Sequence, residues 1–167
     1  SSDVCSSDLL NRSTQARSDL ERSVKLLPTA NAYNALGNLA RKQGRLEEAK
    51  AYYSKVANAQ SEIGKQAYGA LVDIDLKDNP AKYIRIQTGL DREGRVVVQI
   101  SNPTPRNIGR LVVAVQFQDL AAPLQLALRG SVPAGGQRLF DLGLAGKLTQ
   151  EQMNSLRASI VRAQIIR

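Results

Sequence analysis

Thr29–Gln60 reads TANAYNALGNLARKQGRLEEAKAYYSKVANAQ, and two apolar stripes at helical spacing run through it. Tyr33, Leu36, Gly37 and Ala40 recur at intervals of three and four, which places them on one face of a helix. Gly44 interrupts that stripe where a helix end calls for a left-handed residue. Leu46, Ala49, Tyr53 and Val56 form a second stripe, and Glu47 and Glu48 fall in its first turn, where the helix dipole favours acid. The stretch predicts a helical hairpin with a small residue on each facing side.

With Ala30 as first position, the hairpin resembles a tetratricopeptide repeat, a 34-residue helix–turn–helix unit. Tyr33 takes the large aromatic place, Leu36-Gly37 the Leu-Gly pair, Ala49 the small residue of the second helix and Tyr53 its aromatic. Three positions depart from the usual pattern: Ala40 for an aromatic, Val56 for alanine and Ser61 for proline. Residues 12–27 carry Ala16, Leu20, Val24 and Leu27 at helical spacing, with Ser13 as a candidate cap and Pro28 beyond the end. They resemble the second half of a preceding repeat, one residue out of step, so the resemblance covers residues 12–63. Residues 62–77 predict a further helix with Ala67, Ala70, Leu71 and Ile74 on one face, in the place of a stack-ending cap.

After Pro80 the apolar period changes from helical to two. KYIRIQT (82–88), RVVVQIS (95–101), IGRLVVAVQFQD (108–119), PLQLALRG (123–130), RLFDLGL (138–144) and ASIVRAQIIR (158–167) read as strands separated by turns. TQEQMNSL (149–156) reads as a short helix capped by Thr149. Six or seven strands in this rhythm predict a small antiparallel β-sandwich. The loop after the second strand, with Asn102, Thr104 and Ile108, resembles the Asn-x-Ser/Thr-x-x-x-Ile loop of FxLYD-like, immunoglobulin-type modules of bacterial envelope proteins. The expected class is α+β: tetratricopeptide-type helical hairpins over residues 10–79, then the β-sandwich over 80–167.

Residues 1–9, SSDVCSSDL, stand apart. Back-translated in one frame they resemble a sequencing-library adapter, so they are expected to be a foreign, disordered tail, with the natural chain starting near Leu10. Cys5, the one cysteine, then drops out as a reactive group, and loss of Asp3 and Asp8 raises the formal charge from +8 to +10.

Composition excludes several chemistries. The chain has no histidine, so Ser-His-Asp and Cys-His catalysis and the HExxH zinc motif are absent from it. One cysteine makes no internal disulfide and no CxxC site. No catalytic residue, metal site or cofactor is expected. Asp73, Asp75 and Asp78 lack the glycine and distal glutamate of a calcium loop. Gly135-Gly136-Gln137 resembles the release-factor tripeptide in three residues only and reads as a turn. No apolar run is long enough to span a membrane.

The candidate binding residues lie on the first helix of the repeat. Asn31, Asn34, Asn38 and Arg41 are spaced three, four and three, forming one polar stripe, although Asn31 also reads as a helix cap. In tetratricopeptide repeats that side lines the concave groove. Asparagines there can pair with both the N–H and C=O of an extended peptide, and Arg41 can meet a carboxylate. The expected function is non-catalytic protein–protein interaction or scaffolding. The alternative is a regulatory or substrate-presenting part of an envelope zinc metalloprotease whose catalytic part lies elsewhere. Residues 81–167 hold 12 basic and 5 acidic groups, against 11 and 8 in residues 10–80. Their arginines are scattered along the chain and only Tyr83, Phe117 and Phe140 could stack on bases, which disfavours nucleic acid and leaves an anionic surface as a second partner. The expected setting is the bacterial periplasm or cell envelope.

Overall fold

The computed structural model describes residues 3–144 and 146–167. The chain divides into two compact units, Ser1–Ile74 and Asp75–Arg167. Helices come first and antiparallel strands follow, so the layout is α+β, with no closed barrel among the described residues.

The first unit opens with α1 (Asp3–Leu26). This corrects two expectations: the helix does not start at Ser13, and Asp3–Leu9 are helical rather than a disordered tail. Ser1 and Ser2 lie outside the described residues. No glycine or proline stands between Asp3 and Leu27, so nothing halts propagation once the helix has nucleated. Pro28 disfavours helical geometry at Leu27 and ends it. Of the apolar stripe, Leu20 and Val24 are half-buried, whereas Ala16 and Leu27 are exposed.

Helices α2 (Ala30–Lys42) and α3 (Leu46–Ser54) form the predicted hairpin. Gly44 has φ +74°, the left-handed conformation its position called for. Around it the Arg45 N–H donates to the Ala40 carbonyl at 2.9 Å and the Gly44 N–H to that of Arg41 at 3.1 Å. This pair of bonds closes the helix end and satisfies carbonyls otherwise left open. Leu36, Ala40, Ala49, Tyr53 and Val56 are all buried. Helix α4 (Glu62–Asp75) buries Ala67, Leu71 and also Val72, while Ala70 and Ile74 are half-buried.

The second unit begins at the last residue of α4. The Asp75 carboxylate is buried and accepts from Tyr83 Oη at 2.7 Å, Asn79 Nδ2 at 2.8 Å and Lys82 Nζ at 3.3 Å. Those donors sit on or beside α5 (Pro80–Tyr83), one helical turn where a strand had been expected from Lys82. Pro80 suits the first helical position, which needs no N–H donor. Asp75 is thus a structural anchor.

Two antiparallel sheets complete the unit. One has the order β1 (Arg85–Leu90), β2 (Val96–Ser101), β6 (Gln137–Asp141). In the other, β3 (Ile108–Gln116) pairs with β4 (Leu124–Ala127), β5 (Ser131–Val132) and β7 (Arg157–Ile165). Val96, Val98 and Ile100 alternate inward on β2, and Phe140 lies opposite Val98. On β3, the period-two pattern that puts Leu111, Val113, Val115 and Phe117 on one face holds for the first three, which are buried, whereas Phe117 lies beyond the strand end and is half-buried. Ile108 is buried too, although it is three residues from Leu111, because a bulge between Gly109 and Val113 shifts the alternation and leaves Arg110 at φ +49°. Helix α6 (Gln150–Ser155) carries a capping box in which Thr149 and Gln152 each bond the other's backbone N–H.

The turn from β1 to β2 is held by Asp91. Its Oδ1 accepts the Glu93 and Arg95 backbone N–H groups at 2.9 Å each, and Arg95 Nε donates to Oδ2 at 2.6 Å. These bonds, the Arg95 backbone N–H foremost, hold the Asp91 carboxyl below its ordinary 3.8, against partial desolvation that opposes them. A lowered pKa means that the turn gains stability above about pH 4 and loses it as pH falls through the lowered value. The Glu93 and Arg95 amide resonances should therefore titrate together with a midpoint below 3.8. A midpoint at or above that value contradicts the bonding.

Candidate functional site

The site is built on α2. Thr29 caps that helix, with φ −92° and ψ 150°, its hydroxyl accepting the Ala32 N–H at 3.2 Å. Asn31 is therefore not the cap and is exposed on the helix surface. From Asn31 the stripe continues through half-buried Asn34 to exposed Asn38 and Arg41, all on one side of the helix by their spacing.

Two of the four already have partners inside the first unit. Tyr53, fully buried on α3, donates its hydroxyl to Asn38 Oδ1 at 2.7 Å. Burial pushes the Tyr53 phenol up, and Arg41 pulls the other way. Arg41 reaches the Asp73 carboxylate on α4 at 3.9 Å, a long and half-exposed ion pair. Neither bond was legible in the sequence. Asn38 thus differs from the expectation that every asparagine pairs with both sides of a peptide: its oxygen is engaged, and its NH2 group remains to donate. The exchange between Asn38 and Tyr53 predicts a coupling of about 1 kcal/mol in a double-mutant cycle of Asn38→Ala and Tyr53→Phe, read by thermal unfolding. Additive single effects contradict the bond.

The repeat positions behind the stripe are occupied as their residue types require. Gly37 faces the Tyr53 ring so closely that a Cβ there would lie 2.6 Å from Cε1. Ala49 is completely buried, Leu36 is 2% exposed, and half-buried Tyr33 carries Lys55 Nζ 4.9 Å above its ring. On the other side of the hairpin, Arg17 of α1 bridges Glu21 at 2.6 Å and Glu48 of α3 at 2.7 Å, and Arg45 adds a 2.8 Å pair to Glu48. Arg17 ties α1 to the hairpin, a role its polar character and sequence distance concealed.

Residues 30–63 match the family model of the tetratricopeptide repeat. No curated protein and no solved structure matches the chain. The match covers α2 and α3, the same two helices that carry the Tyr53–Gly37 contact and the polar stripe. Tetratricopeptide repeats are protein-binding modules, typically non-catalytic.

The second unit offers less. Gly135-Gly136-Gln137 forms the turn from β5 to β6: the Gly135 N–H goes to the Thr104 carbonyl, the Gly136 N–H to that of Pro133, and Gln137 Oε1 accepts from Gln99 Nε2 at 2.7 Å. Its polar groups serve the fold. A cleft of about 190 Å³ opens among Thr88, Leu90, Val96, Met153 and Leu156, and one of about 300 Å³ among Arg85, Ser101, Pro103 and Gln137, below and at the lower end of the 300–1,000 Å³ typical of small-molecule sites. Among the described residues, no group of histidine, cysteine and acidic side chains is placed to hold a metal. No helix among them is long and apolar enough to cross a membrane.

Proposed function

We propose that the chain is a protein-interaction module in which the polar side of α2 holds an extended segment of a partner protein. The observation that carries this reading is the combination of a complete repeat hairpin with Asn31, Asn34 and Arg41 on one accessible stripe. The asparagine amides meet the partner's backbone in both directions. Arg41 exchanges its long contact with Asp73 for a partner carboxylate at little cost, since a half-exposed ion pair contributes little. Asn38, fixed by Tyr53, donates from a preset orientation, so less entropy is lost on binding. The loop of Asn102, Thr104 and Ile108 supports reading the second unit as an immunoglobulin-type envelope module, and with it a periplasmic or envelope setting. Selection of displayed random peptides on the full chain tests the binding. Enrichment of peptides that fail to bind an Asn31→Ala/Asn34→Ala/Arg41→Ala variant supports the site; enrichment of peptides that bind both equally contradicts it.

A further inference from the structure

In the sequence the arginines of the second unit are scattered, but strand pairing gathers several of them. Gly109–Gln164, Val112–Arg162, Ala114–Ser159 and Gln116–Arg157 are cross-strand partners on β3 and β7. Val112, Ala114 and Gln116 alternate with buried Leu111, Val113 and Val115 and take the solvent side with their partners; the register shift between Val112 and Val113 brings Arg162 there although it is two residues from buried Ile160, while Gly109 is buried. Arg157 and Arg162 are exposed on this face, Arg110 stands on the bulge at one end of it, and Arg129 lies exposed just beyond β4. No carboxylate occurs on β3, β4, β5 or β7. Among the described residues, none of these four arginines forms an ion pair. Arg110 touches Gln164 Oε1 at 3.3 Å, and Arg157 donates to the carbonyls of Asn154 and Leu156. Of the unit's acids, Asp91, Glu93 and Asp141 group around Arg95, and exposed Asp119 lies off the strands in the turn from β3 to β4.

We infer that this sheet face docks on an anionic membrane surface. Three features select that partner. The guanidinium groups are spread in two dimensions, over β3, β7 and the end of β4, with Arg157 and Arg162 about 15 Å apart along one strand. A single acidic peptide strand would meet only one row, whereas a plane of lipid phosphates and carboxylates meets them all. Between the arginines lie uncharged residues, Val112, Ala114, Ser159, Val161 and Gln125, so nothing of the opposite charge interrupts the face. No aromatic side chain lies on its paired positions to stack a nucleic-acid base. Arginine's fork of donors suits headgroup phosphate, and each basic residue near such a surface strengthens binding about five-fold at low salt.

Vesicle co-sedimentation of the full chain tests this, with phosphatidylcholine vesicles containing about 30% phosphatidylserine against pure phosphatidylcholine. The parent should sediment with the anionic vesicles only, and about 0.5 M salt should release it. A variant with Arg110, Arg129, Arg157 and Arg162 each changed to Gln should bind at least about 100-fold more weakly. Changing Arg12, Arg22, Lys25 and Lys42 of the first unit to Gln lowers the net charge equally and should cost less than about five-fold. Changing the four sheet arginines to Lys keeps the charge and should preserve binding, which separates loss of the surface from loss of the fold. Equal weakening by the two Gln variants overturns the proposal, as does failure of the parent to bind anionic vesicles. Tighter binding to a polyglutamate peptide or a single-stranded oligonucleotide, lost in the same variant, overturns the membrane as partner.

Discussion

Asn102→Ala is expected to destabilise the second unit by about 3 kcal/mol. Asn102 is fully buried at the end of β2, and Thr104 beside it is 1% exposed. The Asn102 amide donates to the carbonyls of Arg106 at 2.7 Å and Pro133 at 2.9 Å, with a longer bond to Val132 at 3.3 Å. Its oxygen accepts the Thr104 hydroxyl at 2.7 Å and the Thr104 N–H at 3.2 Å. One side chain therefore joins the β2–β3 loop to the β5–β6 turn, where the Asn102 N–H also meets the Gly136 carbonyl at 2.8 Å. Alanine leaves several of these groups without partners in a site that excludes water, and each orphan costs more than an average hydrogen bond contributes. Thr104→Val removes only the hydroxyl and should cost about 1 kcal/mol. Urea unfolding checks the order. An Asn102→Ala effect no larger than that of Thr104→Val would contradict this account of the loop.

Tyr53→Ala should be the most damaging single change in the first unit, at about 3–5 kcal/mol by thermal or urea unfolding. The ring is completely buried, packs on Gly37 and ends in the bond to Asn38, so truncation leaves a cavity and removes the hydrogen bond together. Its neighbour supplies a sharper test. A helical glycine replaced by alanine normally gains about 1 kcal/mol. At Gly37 the new methyl would sit 2.6–2.7 Å from two Tyr53 ring carbons, and such overpacking costs about 1–3 kcal/mol. The steric cost wins, so Gly37→Ala should destabilise the parent. In a Tyr53→Leu background the ring is gone, and Gly37→Ala should become neutral or stabilising. A stabilising Gly37→Ala in the parent contradicts the close approach.

Much of this was readable in the sequence because it rests on periodicity and on residues with single uses. The small residues Gly37 and Ala49 on the facing sides of the hairpin, the left-handed Gly44 and the inward set Leu111, Val113 and Val115 follow from spacing and size alone. What stayed hidden depends on geometry. Thr29 and Asn31 are both good caps, and only the extended backbone at Thr29 decides between them. Tyr53 reads as a core residue, which it is, but nothing in its spacing from Asn38 shows that its hydroxyl reaches the polar stripe. The one-turn helix at Pro80–Tyr83 overrides an alternating pattern that looks like a strand from Lys82, because Asp75 draws Tyr83 back. The arginines of β3 and β7 look dispersed along the chain, since their shared face exists only after the strands pair. In the polar stripe of α2 the residue types were legible, whereas the division of labour was not: Asn38 is held by Tyr53 and Arg41 reaches Asp73, while Asn31 and Asn34 stand on the same side of the helix.

That division leads to the measurement on which the binding account stands. A peptide selected on the full chain should be titrated calorimetrically into the parent and into the Asn31→Ala/Asn34→Ala/Arg41→Ala variant, whose unfolding temperature is checked beside it. The account predicts at least about a ten-fold rise in Kd, the equivalent of one or two lost polar contacts, with the unfolding temperature held. A Kd within about two-fold of the parent's would show that the partner binds elsewhere, and would contradict the polar side of α2 as the site.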